Sequence, residues 1–451
     1  TYPQLISVFL RFGLVDREDG RDRAVRPLGH QKQWISKARS HPLKPPSLGS
    51  ELKRLHKPRI CHSTRELDGL KIAIVRTTLH RGSGQAVHIK EIGRRLVQRG
   101  HEVTIFAREV FEDLDSLPSR RVSSSFDGVP FIRHLGFTMK AGVLIQGYDL
   151  VHTQYHPDIF VGNYLHSIKN IPHVFTYHGF APIRLWVNPM QKLKMIDHKA
   201  GTFPSLRAGV DQIISVSEFL KNELTSRFMI RPEKIQVIYN GVDPERFRPE
   251  VNGEEMRKRY GLAHRPVVLF LGRLAPYKGI QYLIKAIPSI LKQIPEAIFL
   301  IAGSARYDTA RIGSMLATAS MRRAVIFTDF VPESEVPKIY AACDLFCYPS
   351  LWEGFGLTPA EAQACGKPVV AFRHCALPEV VAHGETGILV KPGDHEELAN
   401  AVVELLSDPA RMVEMGRRGH RRVKRLFSWD VAADRTVSVY ERAISIHGMQ
   451  C

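Results

Sequence analysis

Cysteine and long apolar runs are both scarce in this chain. Six of its 451 residues are cysteines, and their irregular spacing excludes a disulfide-stapled scaffold, so we expect a reducing compartment. The longest apolar runs, at 267–271 and 297–302, have the length of a strand, whereas a membrane-spanning helix needs about 18 apolar residues. A composition that is 44% hydrophobic and 24% charged also excludes the disordered and fibrous classes.

Acidic residues are in deficit as well. The chain holds 45 Asp and Glu against 63 Lys and Arg, which gives a formal charge of +18. Such a surplus suits nucleic acid, an anionic membrane or a phosphorylated substrate, and the charge alone does not choose among them. The length predicts at least two domains.

Residues 1–68 differ in composition from the rest of the chain. They hold 14 Lys and Arg against 7 Asp and Glu, and residues 26–58 are rich in Pro, Ser, His and Lys without apolar periodicity. We predict a basic, weakly structured tail. A targeting peptide is disfavoured because acidic residues cluster near the start, at Asp16, Glu18, Asp19 and Asp22.

From residue 69 onward, short apolar strands alternate with amphipathic helices. A strand at 70–75, a glycine-containing turn, a helix ending near Gly100 and a strand at 103–106 form one βαβ unit. A second series of such units starts after Pro249. This alternation predicts an α/β fold with parallel sheets covered on both faces. We predict two Rossmann-like domains, at 69–248 and 249–426, followed by a C-terminal helix at 427–451.

Ligands of such sheets bind beyond the carboxyl ends of the strands, and the first strand is followed there by Gly82, Ser83 and Gly84. Glycines let backbone N–H groups approach a phosphate, although a tight turn without a ligand is equally compatible. The third glycine of a dinucleotide fingerprint is absent, because Val87 stands at that position. An NAD-type site is therefore disfavoured.

The loop after the strand at 267–271 carries Arg273 and Lys278 between two glycines. Two cations five positions apart can hold a diphosphate, with Arg273 as a bidentate fork and Lys278 as a point charge. Solvated surface charge is an equally weighted interpretation of this loop alone.

The loop that starts at Ser350 contains two carboxylates, Glu353 and Glu361. Glu361 is explained by a capping box, with Thr358 as the N-cap of the following helix. Glu353 has no capping role, since it lies among glycines ahead of the helix. The backbone N–H groups of residues 354–357 could receive a phosphate, and the two carboxylates could bind sugar hydroxyls.

Histidine and cysteine provide weaker signals. His178 follows the strand at 173–175 in a glycine-containing loop, which suits a ligand contact, although a lone histidine is more often structural. His152 and His156 share this ambiguity. Cys343 and Cys347 are four apart, but they lie in apolar surroundings and lack the spacing of a zinc site, so we interpret them as buried small residues.

Taken in order, these motifs resemble the retaining nucleotide-sugar glycosyltransferases of the GT-B fold, the group marked by an E-x7-E motif. The resemblance covers residues 70–446, about five-sixths of the chain. Glu353 and Glu361 match the two acids of the motif, Arg273 and Lys278 match the diphosphate-binding pair, and His178 matches the histidine of a T-x-H-G/D loop. One departure is Ser83, where many members have a second adjacent glycine.

The resemblance implies a GT-B architecture, with two domains that face a cleft and a last helix that crosses back to the N-terminal domain. It implies a retaining hexosyltransferase that uses a nucleotide diphosphate sugar, with UDP-sugars favoured on family frequency. Catalytic roles are implied for His178, Arg273, Lys278 and Glu353. Donor binding is implied for Gly82, Gly84, Arg273, Lys278, Val331 (in the base-binding loop at 328–332), Glu353, Gly354, Phe355, Gly356, Leu357 and Glu361.

No metal or other cofactor is implied, since Arg273 and Lys278 would neutralise the leaving diphosphate. The acceptor would be a lipid or a glycan. An anionic membrane is a further expected partner, through the basic faces of the segments 88–99 and 190–199, which gives a cytoplasmic location with peripheral attachment to the cytoplasmic membrane face.

Three alternatives stay open at this stage. A nucleotide-sugar epimerase of the same fold would convert its donor without an acceptor. A basic nucleic-acid-binding protein would explain the charge, but the sequence shows no zinc-finger spacing, RNP segment or basic recognition helix, so nucleic acid is not an expected partner. A catalytically silent scaffold would leave the four charged motif residues without a role.

Overall fold

The computed structural model describes residues 69–80, 82–110, 114, 117–123, 133–186, 188–303, 314–316 and 318–450. The basic tail that the sequence predicts at 1–68 lies outside these residues. Within the described ranges, no helix combines the length and the apolar character that crossing a membrane requires.

The first part of the described chain builds a parallel sheet around its earliest strand. The spatial order is β5-β3-β1-β6-β7-β8-β9, so the chain moves outward to one side of β1 and then returns to the other side. A small parallel pair, β2 and β4, lies outside this sheet. The strands are β1 (Lys71–Val75), β2 (Thr78–Leu79), β3 (Glu102–Ala107), β4 (Glu109–Val110), β5 (Ser119–Arg121), β6 (Leu150–Thr153), β7 (His173–Tyr177), β8 (Gln212–Ser215) and β9 (Ile235–Val237).

Helices connect these strands and cover both faces of the sheet. The first helix begins where the side chain of Ser83 accepts a hydrogen bond from the N–H of Ala86 at 3.2 Å. Its apolar positions face the sheet, with Ile89, Ile92 and Leu96 buried. The helices of this part are α1 (Gly84–Gln98), α2 (Arg133–Leu144), α3 (Asp158–Lys169), α4 (Pro189–Ala208) and α5 (Glu218–Ser226).

The second part repeats this plan with a parallel sheet of order β12-β11-β10-β13-β14-β15. Every residue of its first strand is buried, as expected for a strand covered on both faces. The strands are β10 (Val267–Leu271), β11 (Ile298–Ala302), β12 (Val325–Asp329), β13 (Leu345–Tyr348), β14 (Val369–Phe372) and β15 (Gly387–Val390). The helices are α6 (Glu254–Arg259), α7 (Ile280–Gln293), α8 (Ala319–Ala324), α9 (Val336–Ala342), α10 (Leu357–Ala364), α11 (Leu377–Val380), α12 (His395–Leu406) and α13 (Pro409–Leu426).

The last helix, α14 (Trp429–Gln450), returns to the first sheet and packs against α1, β7 and β8. Arg95 on α1 donates a hydrogen bond from Nε to Asp430 at 3.0 Å, and the ring of His152 on β6 lies 2.7 Å from the hydroxyl of Tyr440. The predicted α/β architecture of two Rossmann-like domains with a returning helix is therefore confirmed. The division predicted between residues 248 and 249 falls between the two sheets and stays a prediction.

The returning helix corrects one expectation from the sequence. The basic face of the segment 88–99 is expected to meet a membrane, but Lys90 and Arg95 are buried. Arg99 pairs with Asp434 of the returning helix, with Nη2 and Oδ1 2.6 Å apart. This basic face contacts protein rather than a partner surface, because acids 335 residues later in the chain pack against it.

Both sheets reverse their strand order beside their first strand. In the first sheet, β1 lies between β3 and β6, and in the second, β10 lies between β11 and β13. The loops that leave neighbouring strands at such a point diverge to opposite sides and open a crevice at the carboxyl edge of the sheet. A ligand site is therefore expected at the loops after β1, β6, β10 and β13.

Candidate functional site

A cavity of about 450 Å³ lies where these loops of the two sheets face each other. Nearly every residue that the sequence predicts as a site residue lines it. These residues are Gly82, Gly84, His178, Arg273, Lys278, Glu353, Gly354, Phe355, Gly356 and Leu357. The structure thus brings together positions that are up to 275 residues apart in sequence.

The loop after β10 supplies the two cations. Arg273 donates from Nη2 to the hydroxyl of Tyr277 at 2.6 Å, which holds the guanidinium at the cavity wall. Lys278 closes a 3₁₀ turn, Pro276–Lys278, and is followed by Gly279 at φ = +75°. A side chain at Gly279 would meet the carbonyl of Pro349, only 1.7 Å from an added Cβ. Glycine at this position lets the loop after β10 pack against the loop after β13.

Lys278 and Glu353 form a buried ion pair at the centre of this wall. The ammonium Nζ lies 2.6 Å from the carboxylate Oε1, and the hydroxyl of Ser350 donates to the same oxygen at 2.8 Å. Nζ also donates to the hydroxyl of Tyr348 at 2.9 Å. Burial by itself would lower the pKa of Lys278, but the adjacent Glu353 carboxylate more than offsets this and raises the pKa above its usual value. Lys278 is therefore a cation at neutral pH.

The two loops are also joined through their backbones. The N–H of Leu351 donates to the carbonyl of Tyr277 at 2.7 Å, and the hydroxyl oxygen of Ser350 lies 3.2 Å from the same carbonyl oxygen. These contacts fix the positions of the cations relative to Glu353, because a relative movement of the two loops would break the hydrogen bond between Leu351 and Tyr277.

The start of α10 corrects the predicted capping box. The helix begins at Leu357, its N-cap is Gly356 at φ = +109°, and no side chain caps it. Thr358 lies inside the helix, so neither Thr358 nor Glu361 acts as predicted for a cap. The helix N-terminus instead opens on the cavity, which Gly356, Leu357 and Thr358 line. An N-terminus in this position favours an anion.

Glu361 lines a second cavity of about 140 Å³ that shares Gly82, Gly84 and Leu357 with the first. The hydroxyl of Tyr340 donates to Oε2 of Glu361 at 3.1 Å. Burial raises the pKa of this carboxyl to about 7, against partial opposition from that hydrogen bond and from Arg246.

Val331 is the predicted site residue that lines neither cavity. Its side chain is buried in the core, and the segment that follows it contributes Glu333 to the second cavity. Glu333 accepts a hydrogen bond from Nη1 of Arg246 at 2.7 Å.

His178 lies on the wall formed by the first sheet. Its Nε2 donates to Oε1 of Gln154 at 2.9 Å, and its ring packs edge-on against that of His88, with centroids 5.0 Å apart. Burial, with a smaller contribution from His88, holds the pKa of His178 well below its usual value, so the ring is neutral at pH 7. Burial also lowers the pKa of His88 to about 4.

Contacts between the two walls run through small residues. An added Cβ on Gly354 would lie 2.4 Å from the carbonyl of His178, and one on Gly179 would lie 2.8 Å from the ring of Trp352. The loop of His178 therefore touches the loop of Glu353 directly. Gly84 approaches the second part as well, since an added Cβ would lie 3.2 Å from the side chain of Leu357.

Sequence reasoning missed the cationic lining on the first sheet's side. Arg76 and Lys194 line the cavity there with His80, and among the described residues no carboxylate lines that wall. Arg76 pairs with the buried Asp158 at 3.1 Å, between Nη1 and Oδ2, and stacks over the ring of Tyr155. The signal for Arg76 is its place directly after β1, but a single arginine in a sequence carries little information.

The remaining histidine and cysteine candidates separate clearly. His152 is structural, because its ring bridges Tyr440 and the hydroxyl of Thr176, 2.7 Å from each. Cys343 and Cys347 are fully buried, as predicted, and burial raises the pKa of the Cys343 thiol to about 12. His156 lies in a separate cluster on the same side of the cavity as Arg76.

With this geometry established, similarity to known proteins defines the class. Residues 252–422 match the family model for glycosyl transferases group 1, and residues 82–246 match that for glycosyltransferase family 4. The sucrose-phosphate synthase of Thermosynechococcus elongatus has the same fold, with a TM-score of 0.72 at 26% identity over 84% of this chain and 100% of that one. The two-sheet cleft is thus that of a GT-B glycosyltransferase.

Two curated relatives cover most of the chain. An uncharacterized glycosyltransferase of Methanocaldococcus jannaschii is 31% identical over 81% of this chain and 96% of its own length. A D-inositol 3-phosphate glycosyltransferase of Corynebacterium glutamicum is 32% identical over 69% of this chain and 75% of its own length. The chain belongs to the group 1 glycosyltransferases.

Proposed function

We propose that the protein is a retaining hexosyltransferase that moves a sugar from a nucleotide diphosphate sugar to a phosphate-bearing lipid or glycan. The observation that carries this proposal is the wall formed by Arg273, Lys278 and Glu353. Its two cations and its carboxylate lie beside the N-terminus of α10, in the arrangement expected for a diphosphate and its attached sugar.

The donor half of the proposal assigns a part to each group. Arg273 and Lys278 hold the diphosphate and stabilise the charge that develops as the sugar leaves, so no metal ion is needed there. The N-terminus of α10 receives phosphate oxygens. Glu353 accepts hydrogen bonds from sugar hydroxyls, and Glu361 in the second cavity accepts them from the ribose. A UDP-sugar is the first donor to test.

His178 faces the sugar from the opposite wall. Because its ring is neutral and Nε2 donates to Gln154, Nδ1 can accept a hydrogen bond from a hydroxyl near the reacting carbon without adding charge. The retained anomeric configuration would follow from attack on the same face that the diphosphate leaves, with a phosphate oxygen taking the acceptor proton.

The acceptor half rests on the charge of the first sheet's wall. Arg76 and Lys194 line it, and the Asp158 carboxylate that pairs with Arg76 lies behind the lining, so an anionic acceptor is favoured. The name of the Corynebacterium relative contains D-inositol 3-phosphate, a phosphorylated polyol, which supports a phosphate-bearing acceptor for this chain too.

A lipid surface is the partner we propose for α2. Leu135, Met139 and Val143 are spaced by four and are each 58–60% exposed, so they form one apolar ridge on this helix. Sedimentation with anionic liposomes should fall when Leu135 and Met139 are replaced by serine. Equal sedimentation of this variant and the wild type would remove the ridge from the proposal.

The decisive experiment is a screen of nucleotide release with UDP-, GDP- and ADP-sugars, with and without inositol phosphate and phosphoinositide acceptors. The proposal expects release that depends on acceptor, and a product whose anomeric configuration matches that of the donor by NMR. Conversion of the donor sugar without an acceptor would identify an epimerase. Binding to nucleic acid with no release from any donor would favour the nucleic-acid alternative.

A further inference from the structure

Three potential metal ligands meet beside the cavity, at the junction of the loop after β6 with α4. They are His156, Asp197 and His198, and one ligand atom from each lies within 4.8 Å of the other two. His198 also lines the main cavity. The cluster lies on the wall formed by the first sheet, away from Arg273 and Lys278 on the opposite wall.

His156 carries an unsatisfied buried nitrogen. The residue is 2% exposed, and its Nδ1 has no hydrogen-bond partner among the described residues. A buried polar group without a partner costs free energy, and in a histidine–carboxylate cluster such a nitrogen is available to a ligand.

Gly201 gives the His156 ring its place against α4. A Cβ on Gly201 would lie 2.3 Å from Nε2 of His156, so any larger residue would displace the ring. On the same helix, Gly201 lies four residues after Asp197 and three residues after His198. The His156 ring, which packs on Gly201, therefore lies next to both side chains.

His198 already has the supporting contact that metal-bound histidines use. Its Nδ1 lies 3.2 Å from the hydroxyl of Tyr155, which orients the ring and leaves Nε2 as the nitrogen for a ligand.

We propose that His156, Asp197 and His198 bind one zinc ion, with the remaining coordination position open to water on the side of the cavity. Two imidazole nitrogens and one carboxylate oxygen form a donor set that zinc takes, and magnesium prefers an all-oxygen set. The ion joins the loop after β6 to α4 and adds positive charge to the wall of Arg76 and Lys194. This site is independent of which sugar the enzyme transfers.

A second cluster of the same composition provides a matched control. His166, Asp211 and His447 also group three potential ligands, and Nδ1 of each of these histidines lacks a hydrogen-bond partner among the described residues as well, but the Asp211 carboxylate already faces both rings and a backbone N–H group. It accepts a hydrogen bond from the backbone N–H of His173 at 2.7 Å and lies 3.2 Å from Nδ1 of His166 and 3.5 Å from Nδ1 of His447. We therefore expect no metal at this cluster.

The test uses the tag-free full chain, stripped with a chelator and dialysed against zinc or cobalt(II). Elemental analysis should find about one zinc per chain, and cobalt should give the visible absorption of a four-coordinate site. Asp197→Asn, which changes an exposed carboxylate, should weaken zinc binding at least about ten-fold, since even loss of a supporting contact has an effect of that order. Gly201→Ala should weaken it as well, while His166→Gln should retain the wild-type stoichiometry.

Several results would overturn the proposal. One is a wild-type chain that binds no zinc at micromolar concentration, and another is zinc binding that Asp197→Asn leaves unchanged. Equal loss in His166→Gln and Asp197→Asn would show that the metal binds nonspecifically among the 20 histidines of the chain. Circular dichroism of each variant separates loss of the site from loss of the fold, and Asp197→Asn keeps the test valid if Gly201→Ala does not fold.

Discussion

The two walls of the cleft differ in where the carboxylates that pair with their cations lie. On the wall of the second sheet, which we call the paired wall, Lys278 and Glu353 lie 2.6 Å apart inside a network that also fixes two loops. On the wall of the first sheet, which we call the cationic wall, Arg76 and Lys194 line the cavity, and the Asp158 carboxylate that pairs with Arg76 lies behind the lining rather than in it. The paired wall holds its groups in one geometry, and the cationic wall attracts an anion.

The largest effect is expected when the ion pair of the paired wall is removed. Lys278→Met removes a cation at the diphosphate and should lower turnover by more than about 100-fold, the usual effect of removing one donor to a developing negative charge. It also leaves Glu353 buried without its partner, which should destabilise the fold by about 3–5 kcal/mol. Initial rates and urea unfolding measure the two effects.

A double variant separates the loss of turnover from the loss of stability. Lys278→Met with Glu353→Gln should recover most of the lost stability, since no buried charge remains, while turnover stays low. Lys285→Met on the exposed side of α7 is the matched control and should change neither quantity. Wild-type turnover in Lys278→Met would remove this wall from the reaction.

The second prediction concerns how the unfolding free energy depends on pH. Low pH should affect the cationic wall, because the histidines that line the cavity all belong to it. His88, packed behind His178, has a pKa of about 4 owing to burial, below the value of about 6.5 in an unfolded chain. As the pH falls, the unfolded chain takes up the proton first, so stability is full above about pH 6.5 and is lost toward pH 4.

At pH 5 this single group should account for on the order of 2 kcal/mol of lost unfolding free energy. Urea unfolding at pH 7 and pH 5 measures the loss, and His88→Gln should reduce the difference between the two values. A pH dependence that is the same in the wild type and His88→Gln would show that His88 is not held neutral.

The third prediction weakens the cationic wall alone. Lys194→Met should raise KM for a phosphate-bearing acceptor about ten-fold, equivalent to about 1.4 kcal/mol, and leave kcat and the KM for donor nearly unchanged. Lys192→Met, on the same helix but outside the cavity lining, is the control. If the two variants had the same acceptor KM, the cationic wall would not be the acceptor surface.

The smallest effect is expected for the ion pair that joins the returning helix α14 to α1. Arg99 and Asp434 form a half-exposed ion pair between α1 and α14, so Arg99→Gln should cost at most about 1 kcal/mol of unfolding free energy. Thermal unfolding at low and at high salt measures it. A loss several times larger would show that this pair, rather than apolar packing, fastens α14.

Much of this site is predictable from the sequence because its signals are local. Each strand is a short apolar run, and the residues just after β10 and β13 fall at the carboxyl edge of a parallel sheet. That rule alone predicts that Arg273, Lys278 and Glu353 lie at one site.

What the sequence does not predict depends on contacts between distant segments. The spacing of basic residues along α1 predicts that this face meets a partner. In the structure, Asp430 and Asp434, which are 335 residues later in the chain, pair with its arginines. Thr358 suits a cap because Thr-Pro is a frequent helix start, yet the helix begins earlier, with the left-handed Gly356 as its N-cap. Periodicity reports which residues are charged, and only tertiary packing decides what meets those charges.

The cluster of His156 and His198 shows the same limit. The two residues are 42 positions apart and follow no metal-site spacing, so a single sequence offers no reason to join them. Their proximity depends on α4 returning beside the loop after β6, with Gly201 leaving space for the ring.

The most direct test of the two-wall account is calorimetric titration of UDP, GDP and ADP in the presence of a chelator. At least one nucleotide should bind to the wild type and to Lys194→Met with equal affinity, and should bind at least about ten-fold more weakly to Arg273→Met, which loses a charge-assisted contact to the diphosphate. Nucleotide binding that Arg273→Met leaves unchanged, or that Lys194→Met weakens equally, would contradict the assignment of donor and acceptor to opposite walls.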